Sequence, residues 1–304
     1  MSPLRGIALK IASILLFSIM AAFVKAGVAH VPTGQAVFFR SVFAMPVIVT
    51  WLALRGDLRT GFRTQRPMGH VWRGLIGVTS MGCGFAALGL LPLPEVTALG
   101  FAAPLLTVLF AAVLLGERLR LFRLSAVMLG LVGVTVVLWP RLSFDDLSGP
   151  ATLGVALVLG SAVTRALAQI HIRRLVATEE TSAIVFYFSL TATLFSLATL
   201  PFGWVMPDAS VLAMLIAAGL IGGVAQILLT SAYKYAEASV VAPFDYASIL
   251  FAIVIGWVFF EEIPTVMVVI GSAIVMLAGF LIIWRERQLG MKRGKARSLM
   301  PAKW

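Results

Sequence analysis

Two charged side chains lie inside long apolar stretches, where an ionised group is energetically unfavourable. Asp245 interrupts "SVVAPFDYASILFAIV", and Arg165 interrupts "ALVLGSAVTRALAQ". An ionised side chain in the hydrocarbon layer of a membrane costs about 2.5–3.5 kcal/mol on insertion scales, so it usually faces a partner or a cavity. Each residue lies about seven residues from the same side of the membrane, and hence at similar depth. We expect either a permanent ion pair or two groups that line a pathway and contact a substrate or a proton.

A second set of charges is predicted on the other side of the midplane. Lys25 and Arg40 are both basic, and Glu95 is the nearest plausible acidic partner. One acid beside two bases leaves positive charge that favours binding of a carboxylate, for which the planar guanidinium of Arg40 is well shaped. Lys25 has an alternative, because its long aliphatic stem can carry the ammonium group to the membrane surface.

Other candidate site residues surround these charges. A proline within a span frees a backbone carbonyl and bends the helix, which is tolerated where the carbonyl faces water or protein. Pro104 and Pro243 are therefore predicted helix breaks. For each aromatic candidate, packing in the core or against lipid is the alternative to substrate contact. The candidates for stacking and hydrogen bonding with a small organic molecule are Phe85, Phe101, Tyr187, Gln226 and Tyr246.

The stretches that carry these residues are long enough to cross a membrane. The chain is 60% hydrophobic and 12% charged, with a mean hydropathy of +1.01, which exceeds what a soluble globule can bury. Runs of about 20 apolar residues without strict alternation predict transmembrane helices and argue against an outer-membrane barrel. Ten such runs are predicted, at 6–28, 33–54, 70–90, 94–115, 121–140, 151–172, 182–203, 209–233, 238–260 and 264–284.

The distribution of basic residues predicts how the chain lies in the membrane. Twenty of the 24 Lys and Arg residues fall on the side of the N-terminus, whereas Arg141 alone falls in the loops of the other side. This bias predicts that both termini are cytoplasmic. It also explains the basic segment 286–304 as a cytoplasmic tail near anionic lipid, without a nucleic-acid partner. The first apolar run lacks a convincing cleavage site and is predicted to be retained.

The two halves of the sequence resemble each other. The segment at 36–44, "AVFFRSVFA", is similar to "IVFYFSLTA" at 184–192, and both halves carry a long apolar run that ends in Glu at a tight loop. We predict a first repeat at 1–140, a linker at 141–150 and a second repeat at 151–285. Five spans per repeat is an odd number, so the second copy is inverted. The predicted fold is thus an all-α integral membrane protein whose inverted five-helix repeats enclose a central cavity, as in many transporters.

These motifs resemble the drug/metabolite transporter superfamily, specifically its ten-helix EamA-type metabolite exporters. The matching residues are Arg40 with Ala44, "LLGERL" at 114–119, and "PFDY" with "FFEEIPT" between 243 and 265. Phe260 departs from the pattern, because the family usually has Gly before this glutamate. Phe17-Ser18 also departs, because many relatives carry Trp with a small polar residue there.

The resemblance implies the activity and the location. It implies export of small metabolites by alternating access across the bacterial inner membrane, with aromatic or otherwise apolar amino acids as the leading substrate class. Separated cationic and anionic groups suit a zwitterion, with Arg40 toward its carboxylate and Asp245 toward its amine. Whether the protein is a monomer or a homodimer stays open.

Other functional classes are disfavoured by what the sequence lacks. It has no phosphate-binding glycine loop, a single cysteine (Cys83) and no cluster of histidines, so we predict no enzyme, no cofactor and no metal site. A proton-coupled multidrug or other metabolite transporter (nucleobase, vitamin) is the alternative. The multidrug version would be expected to carry an acid in the first span, which instead has Lys10 and Lys25. A membrane scaffold or sensor is a remote alternative.

Overall fold

The computed structural model describes residues 3–58, 61–115, 121–141, 149–175, 178–235 and 242–298. Within these ranges the chain forms helices and no strand. Short 3-10 segments cover Trp139–Arg141 and Ala242–Tyr246. The α-helices are α1 (Pro3–Val28), α2 (Thr33–Leu54), α3 (Pro67–Leu88), α4 (Leu93–Gly100), α5 (Ala102–Leu115), α6 (Leu121–Leu138), α7 (Pro150–Leu175), α8 (Thr181–Leu197), α9 (Ala209–Tyr235), α10 (Ala247–Phe260) and α11 (Val266–Ser298).

These helices confirm the prediction of an all-helical membrane protein. Six helical segments are long and apolar enough to cross a bilayer, and four more are apolar but shorter. The second predicted span has the bounds of α2, whereas the seventh ends at Leu197 and not at 203. Pro201 explains the early end, because proline disfavours the helical conformation of the residue before it and cannot donate a backbone hydrogen bond. Positions 238–241 of the ninth predicted span lie outside the described residues.

The fourth and ninth predicted spans are both interrupted next to a proline. The fourth divides into α4 and α5 at Phe101, directly after Gly100. The ring of Pro104 would clash with the carbonyl of Gly100, four residues earlier, if one helix continued. The ninth span contains the 3-10 segment with Pro243, and α10 starts only at Ala247.

For orientation, the near end of the bundle is the end where α1 begins, and the far end is where α1 ends. α1 packs against α9, α2 against α8 and α9, and α3 against α7 and α8. Helices from the two halves of the sequence therefore interleave, and the interrupted spans lie between them.

α6 and α11 cross at two glycines that leave no room for a side chain. A Cβ on Gly133 would lie 2.8 Å from the carbonyl oxygen of Gly271, and a Cβ on Gly271 would lie 2.6 Å from that of Gly133. Small residues allow membrane helices to approach this closely.

Gly271→Ala is expected to destabilise the protein, because its methyl group would force the two backbones apart. Overpacking of this kind costs about 1–3 kcal/mol, so the thermal unfolding midpoint in detergent should fall by several degrees. Gly160→Ala on α7 is the matched control, because a Cβ there meets no atom within 4 Å. Equal midpoints for the two variants would show that the crossing is not as close as described.

Candidate functional site

Arg165 is exposed although it lies on the inner side of α7. The exposed residues Ala156 and Val163 project from the opposite side of this helix. A Cβ on Gly84 of α3 would lie 3.9 Å from one terminal nitrogen of Arg165, and a Cβ on Gly100 of α4 would lie 3.7 Å from the other. The guanidinium thus lies between three helices in accessible space, which indicates an opening within the bundle.

The Arg165 guanidinium makes few polar contacts. It donates one hydrogen bond, to Ser161 Oγ at 3.4 Å, which is weak at that length. Within the described ranges no carboxylate lies within 4.0 Å of it. Gln169, one turn closer to the near end, is also exposed on the same side of α7. The accessible strip of α7 therefore runs from Arg165 toward the near end.

The structure does not pair Arg165 with Asp245. Asp245 Oδ1 instead contacts Lys10 Nζ at 2.7 Å. The Lys10 side chain is 3% exposed and the Asp245 side chain is 46% exposed, so the carboxylate stays accessible while its lysine partner is buried. Depth along a helix does not fix which neighbour a side chain faces. The segment that carries Asp245 packs against α1, whereas α7 packs against α3, α4 and α5.

A stack of two aromatic rings lies between the two interrupted spans. The Phe101 and Tyr246 ring centroids are 4.9 Å apart, with 24° between the ring planes. Phe101 follows Gly100, which touches Arg165, and Tyr246 follows Asp245. The stack therefore joins the segment beside Arg165 to the segment that carries Asp245.

The predicted aromatic contacts to substrate lie mostly in the core. Phe101 and Tyr246 are each 8% exposed, and the Tyr246 ring fills the space where Gly279 has no side chain. Phe85 is 7% exposed and packs in a second core cluster with Met20. These three rings hold helices together and offer little surface to a ligand. Spacing along the sequence could not show this, because a ring near a charge can face either side of its helix.

Arg40 and Tyr187 make separate contacts. Arg40 is 7% exposed, its Nε has no hydrogen-bond partner, and it lies against Gly222 of α9, one turn before the half-buried Gln226. The Tyr187 hydroxyl donates to the carbonyl oxygen of Phe62 at 3.0 Å and so supports the α2–α3 loop. Arg40 lies in the far half of α2 and Tyr187 in the near half of α8.

Lys25 binds Glu262 and not Glu95. Lys25 Nζ lies 2.8 Å from Glu262 Oε1 and donates to the carbonyl oxygens of Leu88 (3.0 Å) and Leu91 (2.8 Å). Glu262 Oε2 accepts the backbone N–H of Leu93 at 2.8 Å. We call Lys25, Glu262 and these backbone groups the far-end latch. Lys25 is 13% exposed, so it does not extend to the membrane surface.

The far-end latch links three segments at one end of the bundle. It joins the end of α1, the α3–α4 loop and the loop after α10. Glu95, which was the predicted acid, is buried in the first turn of α4. Glu262 was not predicted to be a site residue. It lies just after α10, in a turn where Glu261 has a φ of 55°. A positive φ is uncommon for a residue other than glycine.

Glu179 joins two loops at the near end. Its Oε2 lies 3.2 Å from His70 Nε2, and its Oε1 accepts the backbone N–H groups of Gln65 and Arg66, both at 2.8 Å. Burial acts to raise the pKa of Glu179, but hydrogen bonds from His70, Gln65, Thr64 and Arg66 place it below the ordinary value of 4.5.

Acid should weaken this near-end junction. Because the pKa of Glu179 is lower in the folded protein than its ordinary value of 4.5, its stabilising contribution is present above that value and is lost as pH falls through the folded pKa. The thermal unfolding midpoint of the wild type should therefore fall more steeply on acidification than that of Glu179→Gln. Glu180→Gln, at an exposed neighbour, is the control. Parallel pH curves for wild type and Glu179→Gln would contradict this role.

A cavity of about 320 Å³ opens between α2, α3, α7 and α8, and it is mostly apolar. Its lining includes Val37, Cys83 and Phe195. None of the charged candidate residues lines it, so we do not place the site there.

The comparison with protein families shows which family this chain belongs to. The EamA-like transporter family matches the chain twice, over residues 4–139 and 152–284. This chain belongs to the EamA-like transporter family. It is a multi-pass membrane protein, and transport, not catalysis, is the activity of its family and of its named relatives.

Relatives within the EamA-like family differ in substrate. The pseudopaline exporter of Pseudomonas aeruginosa is 31% identical over 274 residues, which cover 90% of this chain and 94% of the relative. An S-adenosylmethionine uptake transporter of Rickettsia prowazekii is 27% identical and covers 84% of each chain. A riboflavin transporter of Rhizobium johnstonii is 30% identical over 84% of this chain and 82% of the relative. These relatives include both an exporter and an uptake system.

A solved crystal structure is similar to this EamA-like chain, with a TM-score of 0.67 and 22% identity. The similarity covers 93% of this chain and 98% of the other. At that identity it supports the fold alone.

Several residues that shape the site of this EamA-like protein were not among the predicted site residues. Lys10 and Arg73 were among the basic residues that oriented the chain, and Lys10 also argued against a multidrug pump, but neither was predicted to be a site residue. Glu262 and Glu179 are carboxylates beside loops, where sequence alone gives no partner. Glu262 did stand in the quoted motif "FFEEIPT", which was the one available signal.

Proposed function

We propose that this chain is a secondary transporter that exports small carboxylate-bearing metabolites, with aromatic or apolar amino acids as the substrate class, across the bacterial inner membrane. Ten membrane-spanning helices would form two inverted repeats, at 1–140 and 151–285, with both termini in the cytoplasm. The double family match supports the duplication. The interruption of the fourth span of each half supports a central site, because discontinuous helices at corresponding positions bind substrate in many transporters.

The proposal that the substrate bears a carboxylate depends on one observation, namely the accessible guanidinium of Arg165 between α3, α4 and α7. A guanidinium binds a carboxylate through two parallel hydrogen bonds. The accessible oxygen surface of Asp245, beyond the Phe101–Tyr246 stack, supplies an acceptor for an amine. Arg165 therefore replaces Arg40 as the carboxylate-binding group, and a zwitterion between Arg165 and Asp245 satisfies both charges.

The far-end latch suggests how access alternates. With Lys25 and Glu262 joined, the accessible strip at Arg165 and Gln169 leads toward the near end. Opening of the latch and closure of the near end would move the same binding groups to the other face. The interrupted spans supply bends at which the helices can rotate.

The relatives support a second candidate substrate class. Their names include S-adenosylmethionine and riboflavin, so a larger metabolite or vitamin is an alternative to amino acids. A pump for organic cations is less favoured, because Arg40, Arg73 and Arg165 make the interior positive.

Counterflow exchange in reconstituted vesicles tests the proposal. Vesicles preloaded with phenylalanine or leucine should accumulate the labelled amino acid, whereas phenylalaninamide, which lacks the carboxylate, should not exchange. Riboflavin and S-adenosylmethionine form the parallel arm, and two proton gradients test for coupling. Exchange of phenylalaninamide at the rate of phenylalanine, or no exchange of any carboxylate-bearing compound, would contradict the proposed substrate class.

A further inference from the structure

Buried polar atoms without partners are concentrated on two neighbouring helices. In the described part of the chain, five residues have buried side-chain nitrogen or oxygen atoms with no hydrogen bond. Ser272 lies on α11, and the other four lie on α2 and α3: Arg40, Ser41, His70 and Arg73. Most buried polar atoms in folded proteins are hydrogen-bonded, so such a concentration needs a physical explanation.

Arg73 is the seventh residue of α3. Its guanidinium lies 4.1 Å from the centre of the Phe188 ring on α8. Nε and one terminal nitrogen of Arg73 are buried and have no hydrogen-bond acceptor. Stacking on Phe188 fixes the plane of the guanidinium and satisfies none of its N–H groups.

Arg40 adds a second positive charge. It lies on α2, which packs against α3 and α8, it is 7% exposed, and its Nε has no acceptor. Within the described ranges no carboxylate lies within 4.0 Å of either guanidinium. Two like charges with buried N–H groups are unfavourable unless an opposite charge and hydrogen-bond acceptors compensate them.

We propose that Arg73 forms a second anion-binding subsite between α3 and α8, and that the positive charge of Arg40 on the neighbouring helix α2 adds to the attraction. The subsite takes an oxyanion such as a carboxylate or phosphate. An oxyanion supplies the missing negative charge and the acceptors for the unpaired N–H groups. The subsite differs from Arg165, which lies on α7 against Gly84 and Gly100. This inference deepens the proposed function and rests on it where the oxyanion is a second acidic group of the transported metabolite. A free inorganic anion has the same binding chemistry.

Anion binding can be measured without transport. The thermal unfolding midpoint of the purified protein in detergent should rise by several degrees when inorganic phosphate or succinate replaces chloride at constant ionic strength. Arg73→Gln should lose this rise and Arg40→Gln should reduce it, whereas Arg165→Gln should keep the phosphate response. Arg63→Gln, at an exposed position in the α2–α3 loop, is the matched charge control. A wild type without any anion-dependent rise, or an unchanged rise in Arg73→Gln, would overturn the subsite.

A second measurement guards against misfolded variants. Arg73→Lys keeps the charge but lacks the planar fork, so its anion-dependent rise should be reduced and still detectable. Without oxyanion, Arg73→Gln should unfold at a higher temperature than the wild type, because a charge whose buried N–H groups have no acceptor is removed. A merely structural Arg73 would give the opposite shift, and that result would also overturn the proposal.

Exchange assays separate the two sources of the oxyanion. If the anion belongs to the substrate, Arg73→Gln should raise the KM for a dicarboxylic amino acid about tenfold or more and leave the KM for leucine unchanged. If the anion is free, leucine exchange should depend on added phosphate in the wild type and lose that dependence in Arg73→Gln. Failure of all exchange would count against the proposed function and leave the unfolding result as the test of the subsite.

Discussion

Arg165→Gln is expected to reduce exchange of a carboxylate substrate by about 100-fold. The variant keeps polar atoms in the opening between α3, α4 and α7 but removes the charge that binds the carboxylate. Truncating one partner of a desolvated charge pair costs about 2–5 kcal/mol, and about 1.4 kcal/mol corresponds to a factor of ten. Initial rates of counterflow at subsaturating substrate measure the loss.

Two variants make this result specific to the guanidinium. Arg165→Lys should retain more activity than Arg165→Gln, because it keeps the charge and loses only the two-point geometry. Val163→Ala changes the opposite, exposed side of α7 and should exchange at the wild-type rate. Wild-type exchange in Arg165→Gln would remove this residue from the binding site.

Glu262→Gln is expected to open the far end of the bundle. It removes the charge that binds Lys25. Leaving one member of a fully buried ion pair uncompensated costs about 3–5 kcal/mol, and this pair, with side chains 13% and 18% exposed, should lose less. The state with the far-end latch closed should therefore lose population to states open at that end. In a Cys83→Ser background, Thr97→Cys in α4 should react faster with a membrane-impermeant thiol reagent added at the far side.

A double substitution tests the ion pair itself. Lys25→Glu combined with Glu262→Lys should restore part of the slow labelling, although Lys25 also donates to the carbonyl oxygens of Leu88 and Leu91. Glu261→Gln is the control, because Glu261 is the adjacent, exposed residue of the same turn, and this variant should label like the wild type. Unchanged labelling of Thr97→Cys in Glu262→Gln would mean that the latch does not close the far end.

The helices of this protein could be read from its sequence because hydrophobic runs and prolines act locally. The apolar run at 33–54 determines α2 without reference to the rest of the chain. Pro104 likewise predicts an interruption four residues earlier, at the end of α4, from steric contact alone. Short-range effects of this kind are fully present in a single sequence.

The partners of the charged residues could not be read in the same way, because they depend on the rotation and neighbours of each helix. Asp245 and Arg165 were predicted to lie at similar depth, yet Asp245 faces Lys10 on α1. Lys25 binds Glu262, which is distant in sequence, although Glu95 is closer along the chain. The family resemblance supplied the transport function, and it did not supply these contacts.

Labelling of a cysteine at position 169 tests the central claim most directly, since Gln169 shares the accessible side of α7 with Arg165. In a Cys83→Ser background, Gln169→Cys should react readily with a membrane-impermeant thiol reagent from the near side and slowly from the far side. Saturating substrate that drives exchange should raise the rate from the far side and lower it from the near side. Labelling from one side only, at a rate that no substrate changes, would contradict a binding chamber reached alternately from both faces.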